Sequence, residues 1–332
     1  MINAENAMNG IPLTFSEHQI KRTIIGGPKT VNPDALNISV ILLNSSGSHY
    51  KLHVFENLLQ CNFQTIVSVE HDSNNFTDDV SKRFPMIKFL VPLEKTTDGD
   101  LINLAMGEVQ SDYVLVLRDS LNLPSNFIPP HLAERLTADS SYCIVPRLLD
   151  NQKNALPCAF SPSAEHTHFV IDSSSEIANG KKTLFPFDYV ALYNRKKFIE
   201  LGGFDWTISS PYWQNLDLAL RSWLWGEDTL LTSHMQFSYM DEPPVNDTTY
   251  NLDYLRCYLK NELPKIKMGA GYIRRSSFLV FLGRSSCGFM EARRQFNAAR
   301  LWVSKNKYRY KMDLQTLIQD WSRKDDDKDK DE

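Results

Sequence analysis

Three stretches of this chain hold residues whose types and spacing could do chemistry. Glu70 and Ser73 follow the β-rich run at residues 65–69, and Arg118, Asp119 and Ser120 close the apolar run YVLVL at 113–117. Farther on, Gly202, Gly203, Phe204 and Asp205 precede a stretch carrying Trp213, Gln214, Asn215, Asp217 and Arg221. A carboxylate accepts hydrogen bonds or ligates a hard divalent cation, and a guanidinium grips phosphate in bidentate fashion. Arg118 and Asp119 therefore make opposite kinds of anion and cation site within one dipeptide. A side-chain amide cannot take a proton from a hydroxyl at neutral pH, so Gln214 and Asn215 are no bases. Asp205 and Asp217 are the acids that could be.

The elements that must position these residues are legible as patterns. Apolar runs at 38–43, 65–69, 87–91, 113–117 and 142–145 have the length and β-rich composition of buried strands. Helical stretches at 54–59 and 101–109 alternate with them. That alternation predicts an α/β fold with a mostly parallel sheet and helices on both faces, with ligands beyond the carboxyl ends of the strands. A strand at 189–193, a helix over 216–225, a strand at 229–239 and a mainly helical stretch over 252–320 follow. Residues 1–36, broken by Gly26, Gly27, Pro28 and Pro33, are read as an N-terminal extension. Residues 37–245 are read as the main domain, 246–322 as a helical basic segment, and 323–332 as a charged disordered tail.

Four landmarks in order resemble the family-2 glycosyltransferases, over roughly residues 38–239. They are ISVILLNSS from Ile38, VSVEHDSNNFT from Val67, DYVLVLRDSLNLPSNF from Asp112, and the Gly-Gly-Phe-Asp turn with the helix after it. The resemblance implies a GT-A fold and a UDP- or GDP-linked sugar donor. It implies that Glu70 and Ser73 meet the nucleotide, and that Arg118, Asp119 and Ser120 lie where the family holds Mg²⁺ or Mn²⁺. Gly203, Phe204, Trp213 and Gln214 fall on the acceptor side, and Asn215 at the place of the usual catalytic base.

This sequence departs from the family at the places that matter for turnover. The metal-associated positions read Arg118 and Ser120, leaving Asp119 as the one acid there, and the acidic pair opening the helix reads Gln214 and Asn215. The losses favour a degenerate site that needs no metal cofactor and serves binding or scaffolding in glycan assembly. The alternative is an active, metal-independent transferase in which Arg118 meets the diphosphate and Asp205 or Asp217 is the base; Mg²⁺ or Mn²⁺ enters only if the site is active. Plainer explanations stand beside these. Asp217 and Arg221 form an i,i+4 pair, Glu70 could be an acidic turn, Arg118 a surface arginine, the tryptophans core, and His234 an ordinary strand histidine. A third reading, another doubly wound domain, would be supported by a Gly-Gly-Phe-Asp turn lying away from the carboxyl ends of the strands.

Net charge is −4 over 332 residues, unevenly spread. Residues 272–311 hold ten Lys or Arg against Glu291, while the first 271 residues carry −9. An acidic body argues against a nucleic-acid role. Phe289, Ala292, Phe296, Ala299 and Val303 recur at helical spacing. That stripe either docks on the domain or meets a protein partner or an anionic membrane surface. No apolar run is long enough to span a bilayer, and the first residues lack a signal-peptide core. Five scattered cysteines fit reduced thiols, so a cytoplasmic protein, with peripheral membrane contact as an option, is the expectation.

Overall fold

The computed structural model describes residues 19–28, 32–45, 51–70, 77–165, 168–285 and 287–328. Ser73 lies outside the described residues. In chain order the elements begin with β1 (Arg22–Gly26), β2 (Ile38–Leu43), α1 (Leu52–Gln60), β3 (Ile66–Val69), α2 (Thr77–Arg83), β4 (Ile87–Pro92) and α3 (Asp98–Gly107). Next come β5 (Tyr113–Arg118), β6 (Leu121–Asn122), α4 (Pro130–Thr137), β7 (Cys143–Leu149), β8 (Ala159–Glu165) and β9 (His168–Ser174). A single 3₁₀ turn, Phe187–Tyr189, leads to β10 (Ala191–Asn194), α5 (Arg195–Glu200), α6 (Pro211–Trp225) and β11 (Thr229–Tyr239). The chain closes with α7 (Leu252–Cys257), a π turn at Tyr258–Glu262, β12 (Lys265–Lys267), β13 (Ala270–Tyr272), α8 (Ser277–Arg284), α9 (Phe289–Lys305) and α10 (Leu314–Lys328).

Nine strands form one mixed sheet in the order β1-β4-β3-β2-β5-β10-β7-β11-β6. Strands β2, β3, β4, β5, β7 and β11 run one way, and β1, β6 and β10 the other. The sheet is therefore mostly parallel, as the strand–helix alternation predicts. Its central strands are buried along almost their whole length and largely apolar, because a sheet covered on both faces has no solvent side. In β2 all six residues are buried.

Helix α3 packs on β2 and β3 and against α6. Its start is fixed by a capping box: the Thr97 hydroxyl accepts from the Asp100 N–H at 3.1 Å, and Asp100 accepts from the Thr97 N–H at 3.0 Å. Helix α6 opens with Pro211 in its first turn and stops at Gly226 in the left-handed region.

Three local differences from the sequence reading have physical causes. Arg22–Gly26, inside the expected N-terminal extension, pairs with β4 as an edge strand. It is mostly exposed, so it shows no apolar alternation to read. The Pro/Ser-rich connection holds the β8–β9 hairpin, which lies outside the main sheet. Helix α10 runs to Lys328, into the run read as a disordered tail. Its first part is anchored by the buried Leu314, Leu317 and Trp321, which the charged run beyond them does not reveal.

The basic segment's apolar stripe is docked except for Phe289, which is 55% exposed. Ala292, Phe296, Ala299, Trp302 and Val303 of α9 are buried in one core with the sheet. Trp302 stacks on Trp225 at the end of α6, with centroids 6.2 Å apart. All five cysteines are free thiols; Cys61, Cys143, Cys158 and Cys257 are buried and Cys287 is half-buried. Burial pushes the Cys158 thiol up to about 12 and raises Cys143 and Cys257 as well. A thiol reagent is expected to label Cys287 alone in the folded protein and every cysteine after denaturation. Fast labelling of a second thiol under native conditions would contradict this packing.

Candidate functional site

The carboxyl ends of the parallel strands open on a cavity of about 700 Å³. Ser45 after β2, and Arg118 and Ser120 at the end of β5, form its floor. Asp98 at the start of α3, Asp188 and Tyr189 of the 3₁₀ turn, and Tyr212 and Asn215 of α6 form its walls. The segment after β11, with Asp241, Glu242 and Asp247, closes one side.

Arg118 is the centre of this arrangement. Its Nη2 donates to Asp98 Oδ2 and Asp188 Oδ1, each at 2.6 Å, and its Nε donates to Asp188 Oδ1 at 3.0 Å. The Tyr239 hydroxyl donates to the other Asp188 oxygen at 3.0 Å. The guanidinium also lies 5.7 Å from the centre of the Tyr189 ring, a cation–π distance. Burial alone would lower the Arg118 pKa, but the charges of Asp188 and Asp98 raise it well above its ordinary value. Arg118 is thus a fixed cation with its charge already met by two carboxylates of the chain. Asp188 and Tyr189 both sit at positive φ, 51° and 63°, where residues other than glycine are uncommon. Such backbone costs of order 1–3 kcal/mol and persists only where the surroundings enforce it. Here the enforcing contacts are Arg118 and Tyr239 on Asp188, and the Tyr189 hydroxyl donating to the Pro211 carbonyl at 2.9 Å.

The remaining sequence candidates divide into those at the cavity and those behind it. Arg118, Ser120 and Asn215 line it. Asn215 donates its amide to the Pro186 carbonyl at 2.7 Å. Asp119 is 1% exposed and accepts from the Ser45 hydroxyl at 2.7 Å, one residue in from the floor. Glu70 is buried beyond the lining, where Asn44 donates to it at 2.8 Å and Ser68 at 3.2 Å. His234 is exposed on β11 and takes no part in the lining.

The acceptor-side candidates and the two acids are structural in their contacts. Gly202 and Gly203 have φ of 88° and 70°, the left-handed values that let the chain turn back on itself. Phe204 is fully buried against Tyr189 and Phe198. Its backbone is clamped by Asn103 of α3, whose amide donates to the Phe204 carbonyl and accepts from its N–H. Asp205 is fully buried in an ion pair with Lys260 and accepts from the Thr207 N–H and hydroxyl. Asp217 is fully buried in an ion pair with Arg221 and accepts from Asn261 at 2.7 Å. Trp213 is buried against Tyr254, and its indole N–H donates to the Thr249 carbonyl at 3.0 Å. It therefore ties the segment after β11 to α6.

Gln214 is fully buried and joins three elements. Its amide donates to Thr97 and to the Asp205 carbonyl, each at 3.0 Å, and its carbonyl accepts from the Gly99 N–H and shares the Tyr189 hydroxyl with the Pro211 carbonyl. A Cβ on Gly99 would come 2.3 Å from the Gln214 Oε1, so the glycine leaves the space the amide fills. These bonds hold the Gly-Gly-Phe-Asp turn beside the start of α3, at the carboxyl ends of the strands. The turn therefore does not lie away from those ends, the placement that would have supported the third reading. Gly99→Ala is expected to cost about 2–4 kcal/mol, since it both overpacks and breaks a saturated buried amide. Urea denaturation would detect that loss, and a cost under about 1 kcal/mol would show that Gln214 can move aside.

Sequence reasoning missed Asp98, Asp188 and the acidic segment after β11. A capping box at 97–100 was there to be read, but it reveals a helix start and not the inward aim of Asp98. Among the described residues, no cluster of three or more His, Cys, Asp or Glu is arranged to hold a metal.

No protein-family model matches the chain. No curated protein matches it. Solved structures do: a GalNAc-T7 crystal structure with UDP, GalNAc and Mn²⁺ aligns with a TM-score of 0.55 at 9% identity, covering 82% of this chain. The chain spans 56% of that structure's length. The mannosyltransferase PcManGT from Pyrobaculum calidifontis, in complex with GDP-Man and Mn²⁺, aligns with a TM-score of 0.42 at 10% identity, over 82% of this chain and 72% of that one. The sheet order, the strand-end cavity and the first of these alignments give this chain the fold of the GT-A glycosyltransferases.

Proposed function

We propose that this chain is a catalytically degenerate member of the GT-A fold, of family-2 type, which binds or scaffolds a partner in glycan assembly. The observation that carries this reading is the Arg118–Asp98–Asp188 cluster. A GT-A transferase of the ordinary kind holds a divalent cation at this strand end to neutralise the leaving diphosphate. Here a guanidinium occupies the floor and its charge is already balanced within the chain. The loss of a base supports the same reading. Asn215 is an amide, and Asp205 and Asp217 are fully buried in ion pairs, so neither acid has access to a substrate hydroxyl.

Calorimetric titration with UDP, GDP and their sugar conjugates, with and without Mn²⁺, tests the reading. The expected result is no Mn²⁺-dependent gain in affinity and no release of nucleotide diphosphate on prolonged incubation. Metal-dependent binding, or turnover of any donor, would overturn it.

One observation favours a second reading, an active and metal-independent transferase taking sugar from a nucleotide donor. Asp241, Glu242 and Asp247 line the cavity on an irregular segment, and the Asp241 side chain is 78% exposed. A base on this segment would reach solvent-side hydroxyls that Asp205 and Asp217 cannot. On that reading Glu242→Gln or Asp241→Asn abolishes turnover while leaving donor affinity intact, and the same calorimetric cell separates the two outcomes.

A further inference from the structure

The apolar stripe that the sequence offered for membrane contact is buried from Ala292 onward, but its first residue, Phe289, belongs to a second apolar surface that is exposed. On α8, Leu279 is 72% and Val280 53% exposed; at the start of α9, Phe289 is 55% and Met290 75% exposed. The two helices form one unit: Phe278 of α8 meets Phe289 and Phe296 of α9 at centroid distances of 5.7 and 5.4 Å. That contact places the start of α9 beside Phe278, next in sequence to the exposed Leu279 and Val280. Large side chains so exposed on a folded surface are usually covered in use.

The surrounding charge says by what. Arg274, Arg275, Arg284, Arg293 and Arg294 are all exposed around this helical pair. The one acid in residues 272–311, Glu291, is bonded to Arg294 at 2.8 Å and to Gln295 at 2.9 Å. We propose that the α8–α9 unit docks the protein on an anionic lipid surface, with Leu279, Val280, Phe289 and Met290 entering the acyl boundary and the arginines meeting lipid phosphates. Apolar residues inside a cationic collar are the pattern of helices that lie in a membrane interface. The rest of the molecule fixes the orientation. A body of −9 over the first 271 residues is repelled by the same surface, so approach through any other face is disfavoured. No helix among the described residues is long and apolar enough to cross a membrane, so the contact is one of lying on the surface.

The test uses the full chain and sedimentation with phosphatidylcholine vesicles, alone or mixed with phosphatidylserine. Binding is expected only to the mixed vesicles. It is expected to weaken about tenfold or more in L279E/M290E, in R274E/R275E, and in salt high enough to shorten the screening length. All four substituted side chains are exposed, so thermal melts should match the parent protein. No binding to mixed vesicles, or undiminished binding by L279E/M290E, overturns the proposal. Concentration-dependent dimerisation abolished by L279E/M290E, without vesicle binding, would assign the face to a second copy of the chain and overturn it equally. The outcome is independent of nucleotide binding, so it stands or falls apart from the proposed function.

Discussion

Asp217→Asn is expected to destabilise the protein by about 3–5 kcal/mol, more than a typical core methylene deletion. Asp217 and Arg221 are both fully buried, so removing one charge strands the other in low dielectric. Arg221 would keep its bonds to the Leu201 and Gly203 carbonyls, at 2.8 and 2.9 Å, but those dipoles do not replace a full charge. The damage would spread, because the same guanidinium clamps the backbone of the Gly-Gly-Phe-Asp turn and Asp217 also anchors Asn261 of the π turn. The pair thus joins the sheet domain to the C-terminal helices. An exposed pair such as Lys82–Asp79, with both side chains more than three-quarters exposed, is worth about 0–1 kcal/mol by contrast. Urea unfolding followed by tryptophan fluorescence would give the difference. A loss under about 1 kcal/mol would mean that water or a rearrangement reaches Arg221, and the buried-pair account would fail. The paired replacement D217L/R221M should recover part of the loss, since neither charge is then stranded.

What the sequence shows and what it hides follow from the range of the interactions involved. The central strands were legible because burial on both faces leaves a nearly continuous apolar run; β11, read at 229–239, has those bounds in the structure. The β8–β9 hairpin was not, since Ser161, Pro162 and Ser163 give no apolar alternation and much of the hairpin is exposed. Edge strand β1 was hidden for the same reason. Within the site, Arg118, Ser120 and Asn215 could be placed from local landmarks, because a residue at a strand end or in a first helical turn keeps its position whatever it bonds to. Their partners could not. Asp188 lies 70 residues from Arg118, and its left-handed backbone is set by tertiary contacts and not by any local preference. Gln214 looked like a lost acid, yet its amide, donating and accepting at once, meets four groups that a carboxylate could not all satisfy. The resemblance identified the position, and only packing revealed what the amide does there.

Arg118→Ala is expected to lower stability by about 3 kcal/mol and, in the same protein, to create a response to divalent cations that the parent lacks. The first effect follows from Asp98 and Asp188, which are 12% and 11% exposed and would face each other with no cation between them. The second follows from geometry. Both carboxylates reach the same guanidinium nitrogen at 2.6 Å, so removing that nitrogen leaves two converging oxygens and room for water, a partial site for a hard cation. Ligand binding to the native state alone raises stability with concentration, by about 2.7 kcal/mol at a hundred times the dissociation constant. Thermal melts of the variant in EDTA, Mg²⁺ and Mn²⁺ should therefore diverge, while those of the parent protein coincide. Two outcomes would sink the reading of Arg118 as an internal substitute for a metal. One is a variant as stable as the parent in EDTA, which would make the ion cluster incidental; the other is a parent protein whose own melting rises with Mn²⁺. A destabilised variant that recovers with Mn²⁺ would show that one arginine stands between this cavity and a metal-binding one. Donor titrations on that metal-loaded variant would then test whether a cation at this place confers nucleotide-sugar binding.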